Sequence, residues 1–166
     1  MKAKKLMLEK APLIAALQAF AEIPIEQTGI KCGCDIDIRI DSKHIQDCAK
    51  KLLEHEFYVS FITAVHVNPA CEVIYQFGHF ETSCRIMIRV SAGPDKSLPS
   101  IAGIYQGADW HEREAHDFFG ITFTDHPHLK PLILTREEHD FKPLLKPDER
   151  LKSCADIFHP AQAADK

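Results

Sequence analysis

No run of apolar residues in this chain approaches the ~20 that a membrane-spanning helix requires, so any membrane association is expected to come through partner proteins. A basic stripe is also missing beyond the first five residues. With 20 Lys and Arg against 24 Asp and Glu, the formal net charge is −4. A nucleic-acid binder needs many phosphate-neutralising cations, and that class is set aside. Glycine is sparse, and the seven present are isolated. Neither G-x-G-x-x-G nor a Walker pattern occurs, which removes the phosphate-cradling loops, and there is no G-x-S-x-G nucleophile elbow. The six cysteines (Cys32, Cys34, Cys48, Cys71, Cys84, Cys154) are scattered rather than clustered. The opening Met1 to Leu8 carries the charge of a signal-peptide n-region, but Glu9 and Lys10 interrupt its apolar run and no small-residue cleavage site follows. The thiols are therefore expected to be reduced, as in a cytoplasmic protein.

What is present suits one core. The 166 residues are 45% hydrophobic and 27% charged, and a chain of about 150 residues buries roughly 70% of its unfolded surface. Between Lys4 and Glu22, Leu6, Leu8, Leu13, Ile14, Leu17 and Phe20 partly follow helical spacing, with Pro12 marking a start or a kink. Gly33 to Ile40 alternates, with Cys34, Ile36, Ile38 and Ile40 on one face and Asp35, Asp37 and Arg39 on the other: a half-buried strand. Asp41 or Ser42 caps a helix over Lys43 to Glu56, whose stripe is Ile45, Cys48, Ala49, Leu52 and Leu53. Phe57 to Val67, Cys71 to Phe77 and Ser83 to Val90 read as strands, and Ser91 to Pro99 as a loop.

A helix with clear punctuation follows. Asp109 is the expected N-cap with Glu112 as its capping-box partner, and Gly120 the residue that ends it. Trp110, Ala115, Phe118 and Phe119 supply its apolar stripe. Prolines then recur at 127, 131, 143, 147 and 160. The layout is α+β: a small, mainly antiparallel sheet packed with helices, followed by an extended proline-rich C-terminal tail. One domain over residues 1–134 and a tail over 135–166 are expected.

The helix holds the chain's most distinctive chemistry. His111-Glu112-Arg113-Glu114-Ala115-His116 superficially resembles the H-E-x-x-H of zinc peptidases. Its histidines are five apart, however, and at 100° per residue they diverge by about 140°. Spacing therefore opposes a shared metal. Two i, i+4 pairs are available, Glu112 with His116 and Arg113 with Asp117, each worth only ~0.2–0.5 kcal/mol if exposed. The plainer reading is a solvated charged face. Against it, Trp110, Glu114 and Phe118 share a face, setting a carboxylate between aromatics where it needs Arg or backbone donors. The segment reads as a charge network fixing the helix against neighbouring structure, within the chain or across an interface. Cys32-Gly33-Cys34 has no second pair at metal-site spacing. His126, His128, His139 and His159 lack a carboxylate or cysteine spaced to complete a site. No catalytic, cofactor-binding or metal-ligating residue is assigned.

Ala108 to Phe123 resembles the signature of the 30 kDa subunit family of respiratory complex I: E-R-E, two residues, an acid, two apolar residues, six residues, then His or Lys. Glu112-Arg113-Glu114, Asp117, Phe118, Phe119 and His126 fit it, and His126 to Leu134 continues the likeness. The family core covers about residues 57–134. The resemblance implies an α+β peripheral subunit of a membrane-bound NADH:quinone oxidoreductase, on the cytoplasmic side of the membrane and without a redox cofactor of its own. Its implied partners are a hydrogenase-like large subunit and an iron–sulfur small subunit. The implied signature and interface residues are Trp110, Glu112, Arg113, Glu114, Asp117, Phe118, Gly120, His126, Pro127 and Lys130. Departures at His111, Lys130-Pro131 and Leu145 keep open the equivalent subunit of an energy-converting hydrogenase or formate hydrogenlyase. From other classes, a stand-alone metal-dependent hydrolase or an adaptor domain that has left the complex remains a rival.

Overall fold

The computed structural model describes residues 10–22, 33–135, 137, 138, 140–153 and 157. Helix α1 spans Lys10–Gln18, with Pro12 in its first turn, where the missing N–H costs nothing. The portion expected over residues 4–9 lies outside the described residues, as do Cys32, Cys154, His139 and His159. Strand β1 (Ile36–Ile40) is followed by a single 3-10 turn, Ser42–His44, capped by Asp41, whose side chain accepts the Lys43 N–H at 3.0 Å. Helix α2 covers Ile45–Glu54. Strands β2 (Phe57–His66), β3 (Cys71–His79) and β4 (Arg85–Ser91) come next. Strand β5 (Ser97–Pro99), helix α3 (Ala108–Phe119) and strand β6 (Thr122–Thr124) complete the regular elements.

The main sheet has the order β1-β4-β3-β2. The β2/β3 and β3/β4 pairs are antiparallel, while β1 joins β4 in parallel. The α+β class and the mostly antiparallel sheet expected from sequence are thus present. Alternation places Ile36, Ile38, Ile40, Val73, Tyr75, Phe77, Ile86, Ile88 and Val90 in one core. A register shift between Val59 and Phe61 resets the alternation of β2, so Phe57 and Ile62 both reach that core. The helical layer covers this face with Leu13 and Leu17 from α1, Ile45, Cys48, Ala49 and Leu52 from α2, and Ala108, Ala115 and Phe119 from α3.

The opposite face of β1, β3 and β4 carries cross-strand charge pairs. Arg89 meets Asp37 at 2.8 Å, and Arg39 bonds Glu72 while lying 3.5 Å from Glu22. The charged positions read off β1 therefore serve as cross-strand partners.

Three expectations change. Leu53 is half exposed rather than part of the α2 stripe: the helix packs through Ile45, Cys48, Ala49 and Leu52, and Leu53 falls about 40° beyond the edge of that arc. Trp110 likewise is 69% exposed. The loop over residues 91–99 contains β5, which pairs in parallel with β6. Three residues show no periodicity, so only the distant partner reveals that strand.

Candidate functional site

Helix α3 divides its circumference into three arcs. Ala108, Glu112, Ala115 and Phe119 lie within one arc and are buried. Asp109, Arg113, His116 and Asp117 occupy a second arc, facing the segment that follows β6. Trp110, Glu114 and Phe118 form the third. Gly120, at φ +70° in the left-handed region, ends the helix while its N–H bonds the His116 carbonyl. A glycine belongs there because that conformation carries no Cβ penalty.

The second arc clamps a strap, residues 126–135. Arg113 donates from Nε to the Lys130 carbonyl at 2.9 Å and from Nη2 to the Pro131 carbonyl at 3.1 Å. One turn on, Asp117 Oδ2 accepts the N–H groups of Leu132, Ile133 and Leu134 at 2.8, 2.8 and 3.2 Å. These donors replace the Arg113–Asp117 pair expected within the helix, because backbone groups of an extended strap have no ladder partners of their own. Burial pushes the Asp117 carboxyl upward, but the three N–H groups outweigh it and its pKa falls below the ordinary value. The network is thus internal to the chain. Truncating Arg113→Ala is expected to cost about 1–2 kcal/mol and to raise hydrogen exchange around residues 132–134 without lowering protection in β3. Equal loss in both would show that Arg113 supports the core instead.

The first arc holds the site's other carboxylate. Glu112 is fully buried and accepts the Ser100 hydroxyl on Oε2 and the Ile101 N–H on Oε1, the latter at 2.8 Å. This overturns the capping box: α3 starts at Ala108 with Gly107 at the N-cap position, so Asp109 lies in the first turn and Glu112 faces the turn before the helix. It also replaces the expected Glu112–His116 pair, since His116 Nδ1 lies 2.8 Å from the Ile121 carbonyl. Desolvation, and more weakly the negative Asp109, push the Glu112 pKa up to about 7 against the Ser100 and Ile101 donors.

His126 closes this end of the strap, with its imidazole fully buried. Its Nδ1 accepts the His128 N–H at 3.0 Å, which leaves Nε2 to donate toward the Asp109 carbonyl at 3.3 Å. The same Nε2 is 3.6 Å from Asp109 Oδ1 and 3.8 Å from Glu112 Oε2. Asp109 Oδ1 is itself buried without a hydrogen-bond partner, at 3.7 Å from Arg113. His126 thereby ties the strap to the first turn of α3, with the core carboxylate of Glu112 close by.

The remaining signature residues divide between backbone and surface. Lys130 contributes its carbonyl. Pro127 is exposed in the turn after β6. Phe118 is half-buried, and its carbonyl accepts the Leu144 N–H at 3.2 Å. Beyond the strap, Lys146 N–H bonds His66 Nδ1 at 3.0 Å and Asn68 N–H bonds the Lys152 carbonyl at 3.0 Å, carrying the chain back to the end of β2. Ser100 and Ile101 are site residues that the motif does not name. Glu112 had a legible signal: Ala108, Glu112, Ala115 and Phe119 share one helical arc, so a core position was marked by a carboxylate. Among the described residues, no group of three or more His, Cys, Asp or Glu side chains is arranged to hold a metal, and no helix is long and apolar enough to cross a membrane.

Fold and site together define a small α+β protein whose signature helix is clamped by its own downstream strap. Residues 38–162 match the model of the family described as respiratory-chain NADH dehydrogenase, 30 Kd subunit, and the chain belongs to that family. It is 30% identical to the second form of the NADH-quinone oxidoreductase C subunit of Rhizobium etli over 134 residues, 76% of this chain and 69% of the relative. It is 44% identical to the NADH-quinone oxidoreductase C subunit of Azorhizobium caulinodans over 75 residues, 45% of this chain. The match spans 35% of the length of that relative, and 40% of its Sinorhizobium medicae counterpart. Among solved structures, a trypsin-resistant fragment of Nqo5 aligns with TM-score 0.58 and 23% identity, covering 74% of this chain and 98% of the fragment. A polypeptide of the membrane-bound sulfane sulfur reductase, an archaeal respiratory membrane complex, aligns with TM-score 0.67 and 23% identity over 95% of both chains. These two likenesses show a shared fold.

Proposed function

We propose that this chain is a peripheral subunit of a membrane-bound NADH:quinone oxidoreductase of the complex I type. In this reading it carries no redox group of its own and scaffolds the connecting module that passes electrons toward quinone. The iron–sulfur clusters belong to its partners, a hydrogenase-like large subunit and an iron–sulfur small subunit. Contact with the cytoplasmic side of the membrane is made through them. The observation that carries the reading is how the signature residues are used: Arg113, Asp117 and His126 bind the strap rather than converging on a cavity. Such a clamp fixes a surface; it does not position a substrate.

The test is purification of a tagged full-length chain from detergent-solubilised membranes of its source. Both partner subunits are expected in stoichiometric amounts, and deletion of the chain should abolish donor-driven quinone reduction. Recovery of the chain as a free monomer, or with stoichiometric zinc and hydrolase activity, would overturn the proposal.

A second reading, the equivalent subunit of an energy-converting hydrogenase or formate hydrogenlyase, rests on the departures from the signature at His111, Lys130-Pro131 and Leu145. Assaying the purified complex with NADH, hydrogen and formate separates the two.

A further inference from the structure

Among the described residues, the third arc of α3 is covered at Phe118 and left open at Trp110. Trp110 and Glu114 stand one turn apart on a face turned away from the strap, with Phe118, a turn further on, half-buried and packed against the core. Trp110 is 69% exposed. Glu114 is only partly exposed, and it makes no hydrogen bond or ion pair with any described residue. Its neighbour Arg113 is turned 100° away, toward the strap carbonyls. Beside Glu114 opens a notch of about 90 Å³, walled by Ile62, Thr63, Ala115, Phe118 and Leu144. Leu144 is itself half exposed.

The geometry points to this notch as the seat of an arginine side chain presented by another subunit, an inference that rests on the subunit reading above. The chemistry is specific. A carboxylate at the rim of an apolar notch is open to a donor brought from outside the chain. A guanidinium supplies a planar fork for the carboxylate and a weakly hydrated face for the adjoining aromatic. Trp110, one turn away, is the ring best suited to receive a cation. Lysine would place a compact, strongly hydrated ammonium against apolar walls. A second copy of this chain docked with the notch on the two-fold axis would bring Glu114 against its own equivalent. Trp and Arg are also the side chains that most often anchor a protein interface.

The experiment uses the full-length tagged chain with p-benzoylphenylalanine in place of Thr63, which is exposed on β2 at the mouth of the notch. Irradiation of the membrane complex is followed by mass spectrometry of the cross-linked peptide. The expected product is a peptide of a different polypeptide containing arginine. E114Q and W110A should each lower its yield about tenfold, while the melting temperature of the isolated chain stays within a few degrees of wild type. Changing the identified arginine to glutamate should abolish the product, and combining that change with E114R should restore it.

A peptide without arginine, a product with a second copy or with this chain's own terminal segment, or an E114Q yield equal to wild type would overturn the inference. If the wild-type chain is recovered alone, the subunit reading falls with it. If partners co-purify and E114Q is silent, only the arginine seat falls.

Discussion

Asp117→Ala releases the strap from α3 while leaving the sheet intact. The wild-type carboxylate holds three consecutive N–H groups, Leu132, Ile133 and Leu134, through a single oxygen. Hydrogen bonds to a charged acceptor contribute ~1.5–3 kcal/mol each but do not add fully. Once freed, the strap can rehydrate rather than remain buried and unsatisfied, so the loss is expected to total about 3 kcal/mol and to be local. Native-state hydrogen exchange should report about a hundredfold lower protection at residues 132–134, with the β3 and β4 amides unchanged. The pH dependence follows from the depressed carboxyl. Stabilisation by Asp117 is complete above the ordinary carboxylate range and is lost as pH falls through the lower, folded-state value. Wild type should therefore open its strap in acid below about pH 4, a step absent from the variant. Unchanged protection at Leu132, Ile133 and Leu134 in Asp117→Ala would show that the strap is held by the apolar contact of Leu129 with the core instead.

The sequence disclosed the elements whose information is local. Alternation in Ile36 to Ile40 and the three- and four-residue spacing of Ile45 to Leu52 each mark a face against the core, and both faces are buried. Gly120 was legible because a helix C-terminus favours one residue type. The capping box was misread for the same reason it was attractive. Asp109 and Glu112 satisfy a local pattern, but the donors that hold Glu112 come from Ser100 and Ile101, in a turn that no local pattern ties to it. Trp110 was assigned to the apolar stripe by residue type alone, although its position places it outside the arc of Ala108, Ala115 and Phe119. The Arg113–Asp117 pair had the right spacing but faced stronger competitors, the unpaired backbone groups of the strap. Sequence spacing thus grouped the residues of α3 into faces, and the motif named the family. Partner choice depended on where distant backbone came to lie.

Glu112→Ala is expected to destabilise the whole domain. The side chain is fully buried, and its removal leaves the Ser100 hydroxyl and the Ile101 N–H without an acceptor in a newly opened cavity. Such combined losses cost about 3–5 kcal/mol, which lowers the melting temperature by roughly 10 °C for a chain of this length. Glu112→Gln separates the shape of the side chain from its charge. Its carbonyl still accepts from Ile101, and its amide can donate to Ser100 once that hydroxyl turns. The pKa of Glu112 is raised from 4.5 to about 7, chiefly by desolvation, so the folded state binds a proton that the unfolded state releases. Stability from this group is complete below pH 4.5 and is lost as pH rises through about 7. That gap corresponds to ~3 kcal/mol. Chemical denaturation of wild type should show stability falling between pH 5 and pH 8 relative to Glu112→Gln, with the variant the more stable at pH 8. Parallel curves would mean that Glu112 stays ionised throughout, its burial offset by donors such as His126 Nε2. One helix therefore carries two carboxylates of opposite linkage. Asp117 favours the strapped fold above the carboxylate range, whereas Glu112 favours it below neutrality, so the doubly satisfied clamp is most stable in the mildly acidic window between them.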